Sequence, residues 1–321
     1  MKSIFKKLSI ISILSLGLIS IASCNNSGHY LNPEDKEDFE IIEFGSFAQT
    51  YVNDKEIQDK LNEITKDDDE TYLNTFNYIN LDGQNYLKHQ ILPYKSIYNR
   101  AENHPFIKYE DYTDIDIEVG YFKVEPMKFI KRTYNEQTLY ISEDVLFSKQ
   151  YSANTTSKYD EDGRYFPNNY IKSDLRTFLN EDFYNLAFTE EEKSLINVTT
   201  LKNDLDSAAP GASKTYLPNK DCDDKIFVPS YDEINKMFKN DVSRIANTSD
   251  YARAMGCPVD TSEYFYGNGT YITRSPYQMK KDYVNFVNNS GILVDDNVNK
   301  FDHGKVQNDS CGIRIVLSIN I

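Results

Sequence analysis

The alternation of apolar and polar positions along the chain predicts strands near both ends and short helices between them. Residues 115–119 alternate between apolar and acidic side chains, which is typical of a half-buried strand. Leu175, Phe178 and Leu179 instead share one face of a helix that Ser173 can cap. Strand patterns return in the C-terminal third of the chain. We therefore predict an α+β fold of mostly antiparallel strands with short helices in the middle, whose terminal strands pair with each other.

The N-terminal residues have the charge order of a secretory signal. Lysines at the very start precede an apolar run over residues 8–21, which is too short for a comfortable membrane span. The run ends in the sequence IASC at residues 21–24, which resembles the lipobox of bacterial lipoproteins, where small residues precede a cysteine that is lipidated. We predict a lipoprotein signal peptide over residues 1–23 and a lipid anchor, such as palmitate, on Cys24. The alternatives are an ordinary signal peptide with a chance cysteine and a spanning helix, which the polar residues after Cys24 disfavour.

The remaining chain divides by composition into a short tether and one long domain. Residues 24–40 are rich in Asn, Ser, Gly, Pro and acidic residues, so they are predicted to form a polar tether between lipid and domain. Residues 41–321 contain no internal repeat and no Pro/Gly-rich linker, so we predict a single extracytoplasmic domain. The protein is then expected in the bacterial cell envelope, lipid-anchored to the outer face of a membrane.

Charge and composition narrow the classes of partner. The formal net charge of −15, with no basic stripe to offset it, repels phosphate backbones, so nucleic acid is not a predicted partner. The chain has 25 Tyr and 18 Phe but no Trp. Abundant Tyr suits strands and half-wet surfaces, where a ring can also stack on a sugar. Most of these rings are expected to be structural.

Three cysteines remain if Cys24 is lipidated, namely Cys222, Cys257 and Cys311. An odd number leaves at least one thiol unpaired within the chain, and the sequence leaves open which two, if any, form a disulfide. The cysteines lack a C-x-x-C spacing, and the four histidines are isolated from one another. Neither a metal nor another cofactor is therefore predicted.

Short motifs are spread in order along the chain from residue 41 to its last residues. They are FGSFAQ at 44–49, EPMKF at 125–129, SDLRTFLN at 173–180, DKIF at 224–227, TRSP at 273–276 and GIRI at 312–315. In this order they resemble the motifs of a family of bacterial domains of unknown function, found in surface and lipid-anchored proteins. The resemblance covers nearly the whole exported chain and implies no known activity. Where that family usually has Trp, this chain has Phe129, Phe178 and Ile272, so a Trp-dependent binding surface would be altered here.

The C-terminal motifs also resemble those of formylglycine-generating enzymes and C-type-lectin-like folds. This second resemblance implies a C-type-lectin-like arrangement of the strands. It also implies an alternative function, an enzyme of the formylglycine-generating or hydrolase type with a dispersed active site. Such an enzyme would need thiols or carboxylates gathered near Arg274. The sequence contains no serine-hydrolase elbow, P-loop or zinc-protease motif, so no catalytic residue is predicted.

Arg176, Arg274 and Arg314, with Ser275 beside the second of them, are the polar residues that the sequence singles out. Two of the guanidinium groups can line a groove and grip a carboxylate or sulfate, or all three can brace loops through carbonyls and carboxylates. The apolar residues around each position favour bracing. The predicted function is a non-catalytic binding or interaction module that contacts glycan, matrix or another envelope protein. A purely structural envelope protein is the other non-enzymatic alternative.

Overall fold

A computed structural model gives the fold of most of the chain. It describes residues 36–66, 68–91, 118–153, 155, 158–159, 162–212, 220–257, 259, 267–294, 304–308 and 312–321. These residues combine mostly antiparallel strands, a few short helices and a curled half-barrel sheet, which confirms the predicted α+β class. Cys24, Cys311 and residues 115–117 of the predicted strand lie outside the described residues.

The strands number fourteen within the described part of the chain. They are β1 (Ile41–Tyr51), β2 (Ile79–Leu81), β3 (Gln84–Ile91), β4 (Glu118–Tyr134), β5 (Gln137–Ser142), β6 (Phe147–Ser148), β7 (Thr199–Leu201), β8 (Cys222–Asp224), β9 (Ile226–Phe227), β10 (Tyr271–Pro276), β11 (Val284–Val287), β12 (Leu293–Val294), β13 (Gly312–Ile313) and β14 (Val316–Leu317).

The larger sheet has seven strands and follows the order β2-β3-β4-β5-β14-β9, with β1 also paired to β4. Two tight turns build its hairpins. Asp82 (φ 52°) and Gly83 (φ 85°) connect β2 to β3, and Asn135 (φ 46°) and Glu136 (φ 66°) connect β4 to β5. Positive φ at both central residues of a two-residue turn matches the right-handed twist of the flanking strands.

Strands from the two ends of the chain do pair, β5 with β14, but the first strand does not pair with the last. Strand β1 runs antiparallel to β4, from Ile41 opposite Ile130 to Tyr51 opposite Phe122. Strand β14 belongs to the same sheet but lies between β5 and β9. The physical reason is length, because the 11 residues of β1 find many more backbone partners along the 17 residues of β4 than along the 2 residues of β14.

The second sheet has five strands in the order β12-β11-β10-β13-β6, antiparallel except where β10 meets β13. Strands β7 and β8 form a separate two-stranded sheet. The last strands connect the two larger sheets, since β13 belongs to the second sheet and β14 to the first. Arg314 and Ile315 form the step between them, and both are fully buried.

The helices are short. They are α1 (Lys55–Thr65), α2 (Asp69–Tyr72), α3 (Asp174–Phe178), α4 (Tyr184–Ala187), α5 (Glu190–Lys193), α6 (Tyr231–Met237), α7 (Asp241–Arg244) and α8 (Asp250–Ala254). A π-helical turn, Leu179–Phe183, joins α3 to α4. Ser173 caps α3 by accepting a hydrogen bond from the Arg176 N–H, as the sequence predicted. Within the described ranges, no helix has both the length and the apolar character needed to span a membrane.

The positions where the family that the motifs resemble usually has Trp lie in the core. Phe129 and Ile272 are fully buried, and Phe178 is 5% exposed. The Phe178 ring packs against Phe76 and Phe147, with centroid separations of 5.0 and 5.5 Å. Such contacts are favourable for aromatic pairs. The absence of Trp at these positions therefore changes core packing, not an exposed surface.

The last residues of the predicted tether lie against the domain. Glu37 accepts hydrogen bonds from Arg132 Nη2 and from the Lys239 N–H, both at 2.9 Å. The Phe39 ring packs edge-to-face on Phe238, with ring centroids 6.0 Å apart. The chain is therefore fixed to the domain from Glu37 onward.

Candidate functional site

Arg274, on β10, is buried with a carboxylate partner. Its Nη1 donates to Glu233 Oε2 at 2.6 Å, and its Nη2 donates to Glu233 Oε1 at 2.5 Å. Further hydrogen bonds run to Asn203 Oδ1 at 3.1 Å and to the carbonyls of Val228 at 3.0 Å and Lys202 at 3.2 Å. A guanidinium group has five N–H donors, so these contacts saturate it.

Ser275 links two segments that flank the Arg274 ion pair. Its hydroxyl donates to the Ser207 carbonyl at 2.9 Å and accepts a hydrogen bond from the Tyr231 N–H at 2.9 Å. Ser207 belongs to a 3-10 turn in the loop after β7, and Tyr231 begins α6. Ser275 therefore braces this loop against the start of a helix.

Arg314 is held mainly by backbone carbonyls. Its Nε and Nη2 donate to the Ser142 carbonyl at 2.8 and 2.6 Å, and its Nη1 donates to the Tyr271 hydroxyl at 3.2 Å. The guanidinium carbon also lies 4.9 Å from the centroid of the Tyr271 ring. Because Arg314 is fully buried at the step between the sheets, these contacts join the sheets to each other.

Arg176 forms a bidentate ion pair with Asp224 at the end of β8. Its Nε donates to Asp224 Oδ1 at 2.8 Å, and its Nη2 lies 2.6 Å from the same oxygen. Asn180, in the same motif, donates to the Ile226 carbonyl at 2.9 Å and accepts from the Lys225 N–H at 2.9 Å. The polar residues of the SDLRTFLN motif therefore hold the DKIF segment through an ion pair and hydrogen bonds.

Cys222 lies in the same cluster, close to where an enzyme with a dispersed site would need a thiol. Asn203 donates to Cys222 Sγ at 3.5 Å and accepts from Arg274 Nε. The thiol itself donates to Asp224 Oδ2 at 3.8 Å. Burial, and then the negative charge of Asp224, raise the pKa of the Cys222 thiol to about 11. At neutral pH the group is protonated, and a protonated thiol is a poor nucleophile.

The second described thiol, Cys257, is almost fully buried and donates to the Thr270 carbonyl at 3.8 Å. Burial raises the pKa of this thiol to about 12. Cys222 and Cys257 are not joined by a disulfide. Cys311 lies outside the described residues. Across the part of the chain that the structure describes, no group of three or more His, Cys, Asp or Glu is placed to hold a metal ion.

The structure thus shows bracing contacts at every arginine that the sequence singled out. A ligand-binding role for Arg176, Arg274, Ser275 or Arg314 stays a prediction. The donors of the two fully buried guanidinium groups, those of Arg274 and Arg314, already have protein acceptors, so neither group has a donor left for a ligand.

The most exposed aromatic surface is formed by Tyr159 and Tyr165, here called the tyrosine pair. They are the two most exposed aromatic side chains of the described residues, at 46% and 37%. Their ring centroids are 5.6 Å apart, and the ring planes are inclined at 57°. The two residues face each other across a short antiparallel bridge, so their side chains lie on the same side of it. Adjacent exposed rings can stack on flat apolar faces, including those of sugars.

The tyrosine pair stands on a braced loop. The Phe166 N–H donates to the Lys158 carbonyl at 2.8 Å, and Lys158 Nζ donates to Asp174 Oδ1 at 2.7 Å. Phe166 is fully buried, and the cationic groups of Arg164 and Lys281 lie 5.4 and 4.6 Å from its ring centroid. Cations over an aromatic face are attracted by the ring quadrupole. These contacts fix the residues next to the two tyrosines, Lys158 and Phe166, to the rest of the domain.

The fold and the site together define a mixed α+β domain with braced arginines and, among its described residues, an exposed pair of tyrosines. The family model described as "Domain of unknown function (DUF6273)" matches residues 135–321. This is more than half of the chain, so the chain belongs to that family. A search of curated proteins and a search of solved structures found no match. Strands β1 and β4 both precede the matched region, but β4 pairs with β5 of that region, so all three strands belong to one sheet.

Proposed function

We propose that this protein is an exported lipoprotein whose domain is a non-catalytic glycan-binding module. The single observation that carries the binding proposal is the concentration of exposed aromatic surface at the tyrosine pair. The chain has 25 Tyr and 18 Phe, and the two rings that are most exposed within its described part contact each other. Sugars present flat C–H faces that stack on such rings, and stacking needs little conformational ordering of a Tyr side chain.

A glycan array tests this proposal. The exported chain, residues 24–321 with Cys24→Ser, is compared with its Tyr159→Ala and Tyr165→Ala variants. We expect the parent chain to bind at least one glycan and both alanine variants to lose that binding. Tyr159→Phe is the matched control, because it keeps the ring and should keep the binding. Binding that survives both alanine substitutions, or a folded chain that binds no glycan, would argue against the proposal.

The anchoring part of the proposal is supported by the sequence of residues 1–24, where lysines, a short apolar run and small residues precede Cys24. Each buried CH₂ of an acyl chain contributes about 0.8 kcal/mol, and more than one chain gives stable anchoring. Metabolic labelling with an alkyne analogue of palmitate should label the parent protein in its membrane fraction. Cys24→Ala should remove the label and release the protein from the membrane. An unlabelled variant that stays in the membrane would contradict a lipid anchor.

A second candidate function is an enzyme of the formylglycine-generating or hydrolase type. The observation that favours it is the position of Cys222, which Asn203 connects to Arg274. The raised pKa of the thiol weighs against it, since the thiolate is the nucleophile. Turnover of a cysteine-containing peptide or an ester substrate by the parent chain, lost in Cys222→Ser, would establish this second candidate.

We also propose a relation to the C-type-lectin-like fold. Its support is the order of the C-terminal motifs and the parallel pairing of β10 with β13, at Tyr271 and Gly312, which brings those motifs side by side. Superposition of the second sheet on the strands of C-type-lectin-like domains tests the relation. A different order of the strands in the second sheet would contradict it.

A further inference from the structure

Tyr159 and Tyr165 of the tyrosine pair are close enough to react with each other. Their ring centroids are 5.6 Å apart, within the range of about 4.5–7 Å for rings in direct contact. The two residues face each other across an antiparallel bridge, so both side chains leave the backbone on the same side. Phenol rings held in this way can be joined by a carbon–carbon bond between the positions ortho to their oxygens.

The inclination of the two rings suits such a bond. Two directly bonded rings that carry hydroxyl groups beside the bond are twisted about it, because coplanar rings would press the neighbouring substituents together. The planes of Tyr159 and Tyr165 are already inclined at 57°. Bonded rings lie closer together than this contact pair, and rotation about the side-chain torsions of two exposed residues supplies the remaining approach.

Exposure distinguishes the tyrosine pair from another pair of contacting tyrosines, Tyr151 and Tyr170. The ring centroids of Tyr151 and Tyr170 are 6.2 Å apart, but these residues are 0% and 2% exposed, so an oxidant in solution does not reach them. Tyr159 and Tyr165 are 46% and 37% exposed. The chain contains no Trp, whose indole is oxidised more easily than a phenol, so no indole competes for the oxidant. The tyrosine pair is therefore accessible to one-electron oxidation.

We propose that Tyr159 and Tyr165 form an intramolecular dityrosine cross-link when the protein meets a one-electron oxidant, such as a peroxidase supplied with hydrogen peroxide. Each phenol gives one electron and one proton to the oxidant, and the two phenoxyl radicals combine in a bond between ortho carbons. The hydrogens of those carbons move to the phenol oxygens as the rings regain aromaticity. Overall the protein loses two hydrogen atoms, and one hydrogen peroxide becomes two waters.

The cross-link would fasten the loop that carries the tyrosine pair. It closes the residues from 159 to 165 into a ring, which limits the conformations open to the unfolded loop, as a disulfide does. Exposed loop tips are preferred sites of proteolytic cleavage, so a fastened loop is better protected. The inference goes beyond glycan binding and does not depend on it, since it needs only the contact and the exposure of the two rings.

Tryptic mapping tests the inference on residues 24–321 with Cys24→Ser, after treatment with a peroxidase and hydrogen peroxide. Trypsin cuts after Lys158 and Arg164, which places the two tyrosines in separate peptides, YDEDGR and YFPNNYIK. Only the cross-link holds these peptides together after digestion. We expect the linked peptides in the monomeric fraction, with a mass lower than the sum of the two by two hydrogen atoms.

Three phenylalanine variants locate the bond. Tyr159→Phe and Tyr165→Phe keep the ring but cannot form a phenoxyl radical, so each should lose the linked peptides. Tyr170→Phe is the matched control, because Tyr170 shares a peptide with Tyr165 but is buried, so the yield should not change. Exposed Met279 can be oxidised to its sulfoxide, which adds oxygen and is therefore distinguished by mass.

The outcomes decide the inference separately from the proposed function. A parallel reaction on N-acetyltyrosine amide shows that the peroxidase is active. With an active peroxidase, absence of the linked peptides from the folded parent chain would overturn the inference. Cross-links only between different molecules, or linked peptides that persist in Tyr165→Phe, would overturn it as well. None of these outcomes alters the result expected of the glycan array.

Discussion

Glu233→Gln is expected to destabilise the fold by about 3–5 kcal/mol, because it leaves a buried guanidinium without its counter-charge. The side chains of Arg274 and Glu233 are 1% and 6% exposed, so water cannot replace the lost carboxylate. Glu233 Oε2 accepts from both the Ser230 N–H at 2.8 Å and Arg274 Nη1 at 2.6 Å, so the Gln oxygen is expected to take this place. The Gln NH₂ group then faces Arg274 Nη2, donor against donor.

Urea unfolding followed by far-UV circular dichroism measures this cost on residues 24–321 with Cys24→Ser. The linear dependence of the unfolding free energy on urea should keep its slope, since the surface exposed on unfolding does not change. Glu40→Gln is the matched control. Glu40 pairs with Lys131 at 3.0 Å, but both side chains are exposed, at 55% and 40%. Its loss should cost much less than the loss of the buried Glu233 carboxylate, because an exposed ion pair contributes little to stability.

A double variant separates charge from packing. Arg274→Met with Glu233→Leu removes both charges, so no unpaired buried ion remains. The free-energy cost of this double variant should be smaller than the summed costs of Arg274→Met alone and Glu233→Leu alone, by roughly 1–3 kcal/mol. A Glu233→Gln cost no larger than that of Glu40→Gln would refute the reasoning, and so would strict additivity in the double variant.

Three further predictions concern separate parts of the fold. Gly45→Ala should cost about 2–4 kcal/mol in urea unfolding, because Gly45 has φ +64° and an added Cβ would lie 2.6 Å from the Phe188 ring. Gly83→Ala, with φ +85° and open space around it, should cost only about 1 kcal/mol, and equal costs would contradict the clash. Burial raises the pKa of Asp144 to about 6. The protonated form therefore contributes stability that is fully present below about pH 4 and is lost as the pH rises through about 6. Asp144→Asn should accordingly gain up to about 3 kcal/mol at about pH 8 and nothing at about pH 3.5, and a gain at both would contradict this origin. The Cys222 thiol should react with iodoacetamide about a hundredfold more slowly at about pH 7.5 in the folded chain than in urea, by mass spectrometry, and similar rates would show that its pKa is not raised.

The parts of the fold that follow from neighbouring residues could be predicted from the sequence. The Ser173 cap is one example, because its acceptor and its donor, the Arg176 N–H, lie within one helical turn. The α+β class follows similarly from apolar periodicity. The position of β14 could not be predicted, since a strand of two residues carries almost no pattern and its neighbours are decided by distant packing.

The site was harder to predict for the same reason. The sequence singled out Arg274, but its partners Glu233 and Asn203 are 41 and 71 positions away along the chain. No local pattern brings them together. Tyr159 and Tyr165 were present among many tyrosines in a polar loop, and only tertiary packing makes these two the most exposed rings of the described residues. The one available signal was the general capacity of surface Tyr to stack on sugars.

The attachment of residues 37–40 to the domain limits the distance that can separate the domain from a lipid anchor. With lipid on Cys24, as we propose, residues 25–36 connect the lipid to the domain. Twelve residues span at most about 40 Å when fully extended. This connecting segment ends at the ion pair between Glu37 and Arg132, whose charged atoms are 2.9 Å apart. Glu37 then lies no farther than this span from the lipid, so the domain is confined to a shallow layer of the envelope. Any partner must lie in that layer or extend into it. Arg132→Ala would remove the ion pair and free further residues, so the domain could reach farther from the lipid.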